Sequence, residues 1–409
     1  ASKIKEEKPI MIVLGNPPYS GESSNKGKNF EWINGLLEDY KKEPGGVEKL
    51  NEKNSKWLND DYVKFLRFGQ YFIEKNKAGV VAFINPHGFL DNPTFRGMRW
   101  NLLKTYDKIY ILNLHGNAKK KEVCPDGSKD ENVFDIQQGV SINIFVRTDK
   151  KKDNELGQVF YSDVWGVRSQ KFEYLTEKDI EQIKWKKIQN KAPMYFMVPR
   201  DYELEEEYHK GFKIDEIFRL SSVGIQTGND SKYIQDDKDI FNNLILNSQN
   251  YIQRVSYRPF DEKFLYYDEN PKQNTKEVLP ASYRPRAVVM RNMKQFNLAL
   301  IVGRQGHVVG AMPWNLVFCS RNLVDLNIFY RGGGVIFPFY LYDENNNKTL
   351  NFNVEIIEEI ERIIGKINPE GLFNYIYAIL HSNIYREKYG AFLKSDFPRI
   401  PYPKDRKTF

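Results

Sequence analysis

The chain has 409 residues, enough for two or three domains with separate cores. With 41% hydrophobic and 28% charged residues it reads as a globular protein, not a disordered or membrane-embedded one. The net charge of +7 suits a polyanionic partner. Two cysteines far apart in sequence, Cys124 and Cys319, exclude a disulfide framework and a Cys/His metal cluster, so no metal ligands are expected.

In chain order, Ile10 to Leu14 is a short apolar run, as expected of a strand buried on both faces. Gly21 to Asn59 is polar and reads as a mobile surface insertion, with a helix near Phe30 to Tyr40. Helical spacing returns over Asp60 to Lys75, where two aspartates favour the positive end of the dipole. Gly79 to Asn85 reads as a second strand, Arg96 to Thr105 as a helix, Lys108 to Leu114 as a third strand and Gly139 to Arg147 as a fourth. After an exposed turn at Thr148 to Gly157, a strand over Gln158 to Trp165 and a helix over Thr176 to Lys186 close the region. Strands alternating with helices imply an α/β layered sheet, whose ligand sites lie at the carboxyl ends of strands.

Past about Pro199 the pattern shifts to short strands at Phe264 to Tyr267, Ala287 to Met290, Leu298 to Val302 and Val335 to Tyr342. Helical pattern follows at Val354 to Ile364 and Leu372 to Leu393, so a second, mixed α/β domain is expected. The boundary falls near residue 190, giving domains 1–190 and 191–409. With no signal peptide and no long apolar span, the chain reads as cytoplasmic, without a membrane partner.

Positive charge is concentrated between Asn250 and Val335, where twelve Lys/Arg face six Asp/Glu. Arg254, Arg258, Arg284, Arg286, Arg291, Lys294 and Arg304 alternate there with Tyr257, Phe260, Tyr266, Tyr267, Tyr283 and Phe296. Such interleaving suits a surface that grips phosphates and wedges against bases. A solvated sheet face with Tyr and Phe in the core is the alternative, and composition alone somewhat favours it. Arg258, Arg284, Arg286, Arg291 and Lys294 are the candidate DNA contacts.

Asn16-Pro17-Pro18-Tyr19 directly follows the first strand. Adenine N6 is a poor nucleophile because its lone pair is delocalised into the ring. Two fixed acceptors that bind both N6 hydrogens favour a more tetrahedral, more nucleophilic nitrogen. The Asn16 side-chain oxygen and the Pro17 carbonyl can form that pair, and two prolines hold the carbonyl rigid. Tyr19 then offers a ring face to an extruded base.

LGNPPYS at Leu14 to Ser20, GVVAFINPHGFLDN at Gly79 to Asn92, IYILNLHGN at Ile109 to Asn117 and VFDIQQGVSINIFVR at Val133 to Arg147 occur in this order. GIQTGND at Gly224 to Asp230, YRPFDEKFLYYD at Tyr257 to Asp268, FPFYLY at Phe337 to Tyr342 and the tail from Tyr375 to Pro403 follow. Together they resemble the gamma-class adenine-N6 DNA methyltransferases of type ISP and type IIG restriction-modification enzymes. The resemblance implies a partial Rossmann-like methyltransferase domain followed by a mixed α/β target-recognition domain. It also implies methyl transfer from S-adenosylmethionine to adenine N6 in a specific double-stranded DNA sequence, with base flipping. Asn16, Pro17, Pro18 and Tyr19 would be catalytic. Phe134 matches the family's second base-stacking aromatic, although it reads equally well as a core residue before a strand.

The family's cofactor loop and acidic residue precede the catalytic motif, which here begins at residue 16. Gly332-Gly333-Gly334 lacks the strand–loop–helix context to replace them. The chain is therefore expected to be a fragment with an incomplete cofactor site, inactive by itself, whose partners are DNA with a flipped adenine and an upstream methyltransferase, nuclease or helicase region. A DNA-binding specificity subunit without catalysis is the alternative. Methylation of another amine, such as cytosine N4, is the third.

Overall fold

The computed structural model describes residues 9–19, 23, 25, 27, 30–52, 55–152, 154–241, 248–270, 279–303, 314–329, 333–393 and 396–409. The chain divides into two compact units, Ala1–Asp201 and Tyr202–Phe409.

The first unit is built on one six-stranded sheet. Its strands are β1 (Ile12–Gly15), β2 (Gly79–Pro86), β3 (Lys108–Asn113), β4 (Val140–Arg147), β5 (Gln158–Asp163) and β6 (Lys186–Ile188), in spatial order β1-β2-β4-β3-β5-β6. β1 runs parallel to β2 and β3 parallel to β5, while β4 runs antiparallel to both of its neighbours. Consequently the carboxyl ends of β1, β2, β3 and β5 and the amino end of β4 share one edge of the sheet. The helices are α1 (Glu31–Leu37), α2 (Asp61–Asn76), α3 (Arg96–Thr105) and α4 (Arg168–Glu177). Ile109 and Ile111 bury into a core with Val63, Leu66 and Leu102 from α2 and α3, whereas Leu112 and Val140 enter a smaller core touched by Tyr174 and Leu175 from α4. Alternation along a strand thus feeds two apolar layers.

Four expectations need correction here. β1 is not buried on both faces: it is an edge strand, with Ile12 65% and Leu14 71% exposed. Its apolar run is covered only where Val13 meets the larger core. The described part of Gly21–Asn59 is packed, not a free surface loop. Leu37, Tyr40 and Leu58 are fully buried, Arg96 grips Glu43 at 2.7 Å and also binds Glu52, and Arg67 pairs with Asp39 at 3.2 Å. The helix expected over Thr176–Lys186 ends at Glu177, because Asp179 Oδ1 accepts the Glu181 and Gln182 amides in a turn and Lys186–Ile188 joins the sheet. Ala287–Met290 is a helical turn, not a strand; the Asn292 amide donates to the Val288 and Val289 carbonyls that a strand would need.

The second unit is mixed α/β and has several small sheets. It begins with α5 (Tyr202–His209), β7 (Phe212–Lys213), β8 (Ser222–Val223), β9 (Ile234–Gln235), β10 (Ile252–Arg258) and β11 (Asp261–Tyr266). There follow β12 (Ala299–Gly303), β13 (Val317–Ser320), β14 (Leu323–Val324), β15 (Gly334–Pro338), β16 (Tyr340–Tyr342) and β17 (Lys348–Leu350). The chain ends in α6 (Val354–Ile364), α7 (Pro369–His381), α8 (Asn383–Leu393) and β18 (Arg399–Ile400). Two four-stranded sheets, β14-β10-β11-β9 and β13-β12-β15-β8, share one core with the helices. Local signals set the helix starts: Asn353 and Asn368 accept the Glu355 and Glu370 amides, and Pro369 opens α7. The single helix expected over Leu372–Leu393 is two, broken at the extended Ser382, with Arg386 donating to the freed Leu380 carbonyl at 2.6 Å.

Candidate functional site

Four strands deliver their ends, and β4 its start, to one edge of the first unit's sheet. Asn16 to Tyr19 leave the end of β1 there, His87 follows β2, His115 follows β3, Gly139 precedes β4 and Asp163 ends β5. Such an edge is where open α/β sheets place ligands.

Asn16 and Pro18 are exposed, Pro17 is buried and Tyr19 is half-buried. The Tyr19 hydroxyl lies between two acceptors, the Asn16 side-chain oxygen and, at 2.8 Å, the Ile84 carbonyl of β2. A donor on the Asn16 oxygen fixes the amide's orientation and leaves that oxygen a second lone pair to offer. Burial lifts the Tyr19 phenol to about 12, so it remains a neutral donor through the physiological range.

The tertiary fold brings Phe134, 115 residues further on, to Tyr19. The ring centroids are 6.2 Å apart and the planes inclined at 45°. This is the separation of an ordinary tilted aromatic pair, so the two rings would have to part to admit a flat group between them. Phe134 is held from behind: its amide donates to Asn132 at 2.9 Å, and Arg168 binds its carbonyl at 3.0 Å and the Asp135 carboxylate at 2.7 Å. Phe134, Asp135, Arg168, Asn117 and Glu122 line an open cleft of about 610 Å³.

A buried ion pair anchors the β3–β4 connection that carries Phe134. Lys171 Nζ of α4 meets Asp130 Oδ1 at 2.6 Å, both fully buried. Lys171 also donates to the Leu114 and Glu131 carbonyls, and Asp130 accepts the Gly116 and Gly166 amides at 2.6 and 3.0 Å. With four further hydrogen bonds around it, this pair has the partners a buried charge needs. Gly116 (φ +78°) is required at this point, because a Cβ there would lie 2.4 Å from the Asn132 backbone.

Sequence reasoning passed over the polar groups behind the motif. Asn85 and Asn143 are buried on adjacent strands and hydrogen-bonded at 3.0 Å. Asn113 links His87 at 3.0 Å to Tyr161 at 3.0 Å, and Tyr161 donates to Asp163 at 2.6 Å. The available signal was polar residues interrupting apolar strands near their carboxyl ends.

Three of the five candidate DNA contacts in the second unit are engaged by groups of the protein itself. Arg258 is tied at 2.8 Å to the buried Asp325, whose carboxyl burial raises to about 6 in spite of that partner. Lys294 is held by Glu269 at 2.7 Å, and Arg284 folds back on the Ala281 carbonyl at 2.7 Å. Arg286 is half-buried in a left-handed conformation (φ +56°), and Arg291 is exposed. Arg304 lies outside the described residues. Among the aromatics Tyr266, Tyr267 and Tyr283 are core residues, whereas Phe260 and Phe296 are 94% and 83% exposed. Phe260 sits at the tip of the β10–β11 hairpin with φ +62°.

No helix among the described residues is long and apolar enough to cross a membrane. No curated protein matches the chain. Residues 242–409 match the Type ISP C-terminal specificity domain. Among solved structures, the DrdV–DNA complex aligns at 23% identity with a TM-score of 0.70, over 98% of this chain and 43% of that one. The ATP-dependent Type ISP restriction-modification enzyme LlaBIII, bound to DNA, gives 22% and 0.70 over 98% and 29%. A nuclease-deletion mutant of the Type ISP enzyme LlaGI, in complex with a DNA substrate mimic, gives 22% and 0.64 over 98% and 40%. The chain thus spans less than half the length of each of these proteins. Its residues 242–409 carry the match to the Type ISP C-terminal specificity domain, and 98% of the chain shares the fold of the aligned part of the Type ISP restriction-modification enzymes LlaBIII and LlaGI.

Proposed function

We propose that this chain is the part of a restriction-modification enzyme that holds and selects the target base in double-stranded DNA. The first unit presents a flipped adenine for methylation at N6, and the second recognises the surrounding sequence. The observation that carries the reading is the convergence of Tyr19 and Phe134, with ring centroids 6.2 Å apart, beside the Asn16 amide that Tyr19 orients. Both aromatic faces and the acceptor come to the same sheet edge from segments far apart in sequence. Stacking grips any base, and the Asn16 oxygen, with the Pro17 carbonyl beside it, selects an exocyclic amine by accepting its hydrogens.

S-adenosylmethionine supplies an electrophilic methyl group in such reactions. Among the described residues nothing fits a cradle for it: Gly334 opens β15, and no helix follows that strand. The reading therefore rests on the acceptor side alone. Among the described residues β1 is an edge strand with Ile12 and Leu14 exposed, which supports a longer sheet in which further strands pair β1 and a packed layer covers this face. The aligned structures hold DNA, and the stretch from Asn250 to Val335 in the second unit, with twelve Lys/Arg against six Asp/Glu, fits the same partner.

The test is transfer of labelled methyl to unmethylated DNA by the intact enzyme that contains this chain, with and without Asn16→Ala. Loss of about 100-fold or more in labelling with unchanged DNA retention is expected. Retained labelling overturns the role of Asn16. If the intact enzyme never labels DNA but still binds a specific sequence, the chain is a specificity module without catalysis, a reading that the match over residues 242–409 favours in its own right.

A further inference from the structure

Beside the Tyr19–Phe134 pair, and unused by it, lie His87, His115 and Glu122. One donor atom from each lies within 4.8 Å of the other two. The outer ring nitrogens are already taken: His115 Nε2 faces Asp163 Oδ1 at 2.6 Å, and His87 Nδ1 faces Asn113 Oδ1 at 3.0 Å. These contacts place the ring protons on the outer nitrogens and turn the inner lone pairs, on His115 Nδ1 and His87 Nε2, towards Glu122. A carboxylate or amide oxygen behind each imidazole is the arrangement that orients metal-bound histidines. His115 Nδ1 is buried without a hydrogen-bond partner, 3.5 Å from Glu122 Oε1 and too poorly aligned to bond it. The Glu122 side chain is steadied through its other oxygen, which accepts the Asn117 amide at 2.8 Å.

The backbone is shaped around this cluster. His115 holds a left-handed conformation (φ +50°) that non-glycine residues seldom adopt. Its ring is stacked on Trp165 with centroids 3.4 Å apart. Gly139 is obligatory, since a Cβ there would lie 2.4 Å from His87 Cε1.

We infer that His87, His115 and Glu122 form a site for a divalent transition ion of the zinc class, which ties the end of β2 to the β3–β4 connection bearing Phe134. Two imidazoles and one carboxylate are an established zinc donor set, with the fourth position left to water or another oxygen ligand. Glu122 lines the cleft described above, which gives the ion a route of entry. Tetrahedral zinc with bonds of ~2.0–2.1 Å holds its donor atoms roughly 3.3 Å apart. Binding therefore draws the widest pair, at most 4.8 Å apart, together by up to about 1.5 Å and displaces the Asn117 side chain, now 3.2 Å from His87 Nε2. Burial and Lys120 disfavour positive charge at His87, and Glu122 favours it.

The experiment is calorimetric titration of zinc chloride into tag-free, chelator-treated protein. One equivalent is expected. His87→Ala, His115→Ala and Glu122→Gln should each weaken binding by more than about 100-fold, and Asp163→Asn, behind His115, by about 10- to 100-fold. Zinc should also slow amide hydrogen exchange across residues 115–139. If the variants do not fold, X-ray absorption of the zinc-loaded wild type reads the ligands directly, and two imidazoles at about 2.0–2.1 Å are expected. Sub-stoichiometric uptake, or a spectrum without two imidazoles, overturns the site; His115 is then a cation clamped between Asp163 and Glu122. Undiminished binding by the folded His115→Ala variant overturns it equally.

Discussion

The two units spend their unusual residues in opposite ways. The first buries polar groups: Asn85, Asn113, Ser141, Asn143, His87 and His115 cluster at one edge of a continuous sheet, and Lys171 and Asp130 are sealed beneath the loop that bears Phe134. The second buries aromatics: Tyr266, Tyr267 and Tyr283 fill its core, while Phe260 and Phe296 project from it. Desolvating a polar group is costly unless it is fully partnered, so a buried polar edge marks a place where geometry is held for chemistry. Exposed aromatics among surface arginines mark a place built for contact. The contrast fits the proposal above, in which one unit selects the base and the other reads the sequence.

The sharpest way to break this contrast is Lys171→Met. It strands Asp130 in the interior and should cost the first unit about 3–5 kcal/mol, read as a lower urea midpoint. The double variant Lys171→Met with Asp130→Asn should recover much of that loss, because no lone charge remains. No recovery would mean that the ion pair is not what anchors the Phe134 loop.

Next in size, Phe260→Ala should weaken specific DNA binding by the intact enzyme by about 1–3 kcal/mol, the range for loss of an aromatic base contact. Arg291→Ala should instead weaken all sequences alike and reduce the salt dependence. Unchanged binding in both variants would remove the exposed hairpin tip and Arg291 from the interface.

Asp325→Asn tests a buried charge in the second unit. Burial raises the Asp325 carboxyl from 3.8 to about 6, so between those values the folded state holds a proton that the unfolded state has released. That contribution to stability falls as pH rises through this window. Wild type measured against Asp325→Asn should therefore lose relative stability from about pH 4 to about pH 6. A difference independent of pH would show that the Arg258 contact, not burial, sets the ionisation of Asp325.

The smallest effect is expected at the exposed edge. Ile12→Thr should change the unfolding free energy of this chain by no more than about 0.5 kcal/mol. In the intact enzyme the same change should cost more, if a packed layer covers this face of β1. Equal costs in both would argue against a longer sheet.

Much of this architecture could be read from the sequence, and the reason is local. The helices Arg96–Thr105 and Val354–Ile364 have the bounds expected of them, because helical periodicity and end signals lie within a few residues of one another. Strands β2 to β4 fall within a residue or so of their expected positions, since buried strands are continuous apolar runs. The same rule failed for Ile10 to Leu14: an apolar run specifies a strand, but only its neighbours decide whether its faces are covered. Tyr266, Tyr267 and Tyr283 were likewise visible as aromatics among basic residues, yet composition could not separate a core ring from an exposed one.

By itself the sequence determined the helices Arg96–Thr105 and Val354–Ile364, strands β2 to β4 and the Asn16-Pro17-Pro18-Tyr19 motif, since backbone preference and side-chain chemistry act over a few residues. Tertiary structure alone decided that Phe134 meets Tyr19, that Arg258 is committed to Asp325, and that His87, His115 and Glu122 converge. Those groupings depend on strand order and on which strands run parallel. With β4 antiparallel between β2 and β3, segments up to about 150 residues apart end at one edge, and no local pattern in the chain encodes that closure.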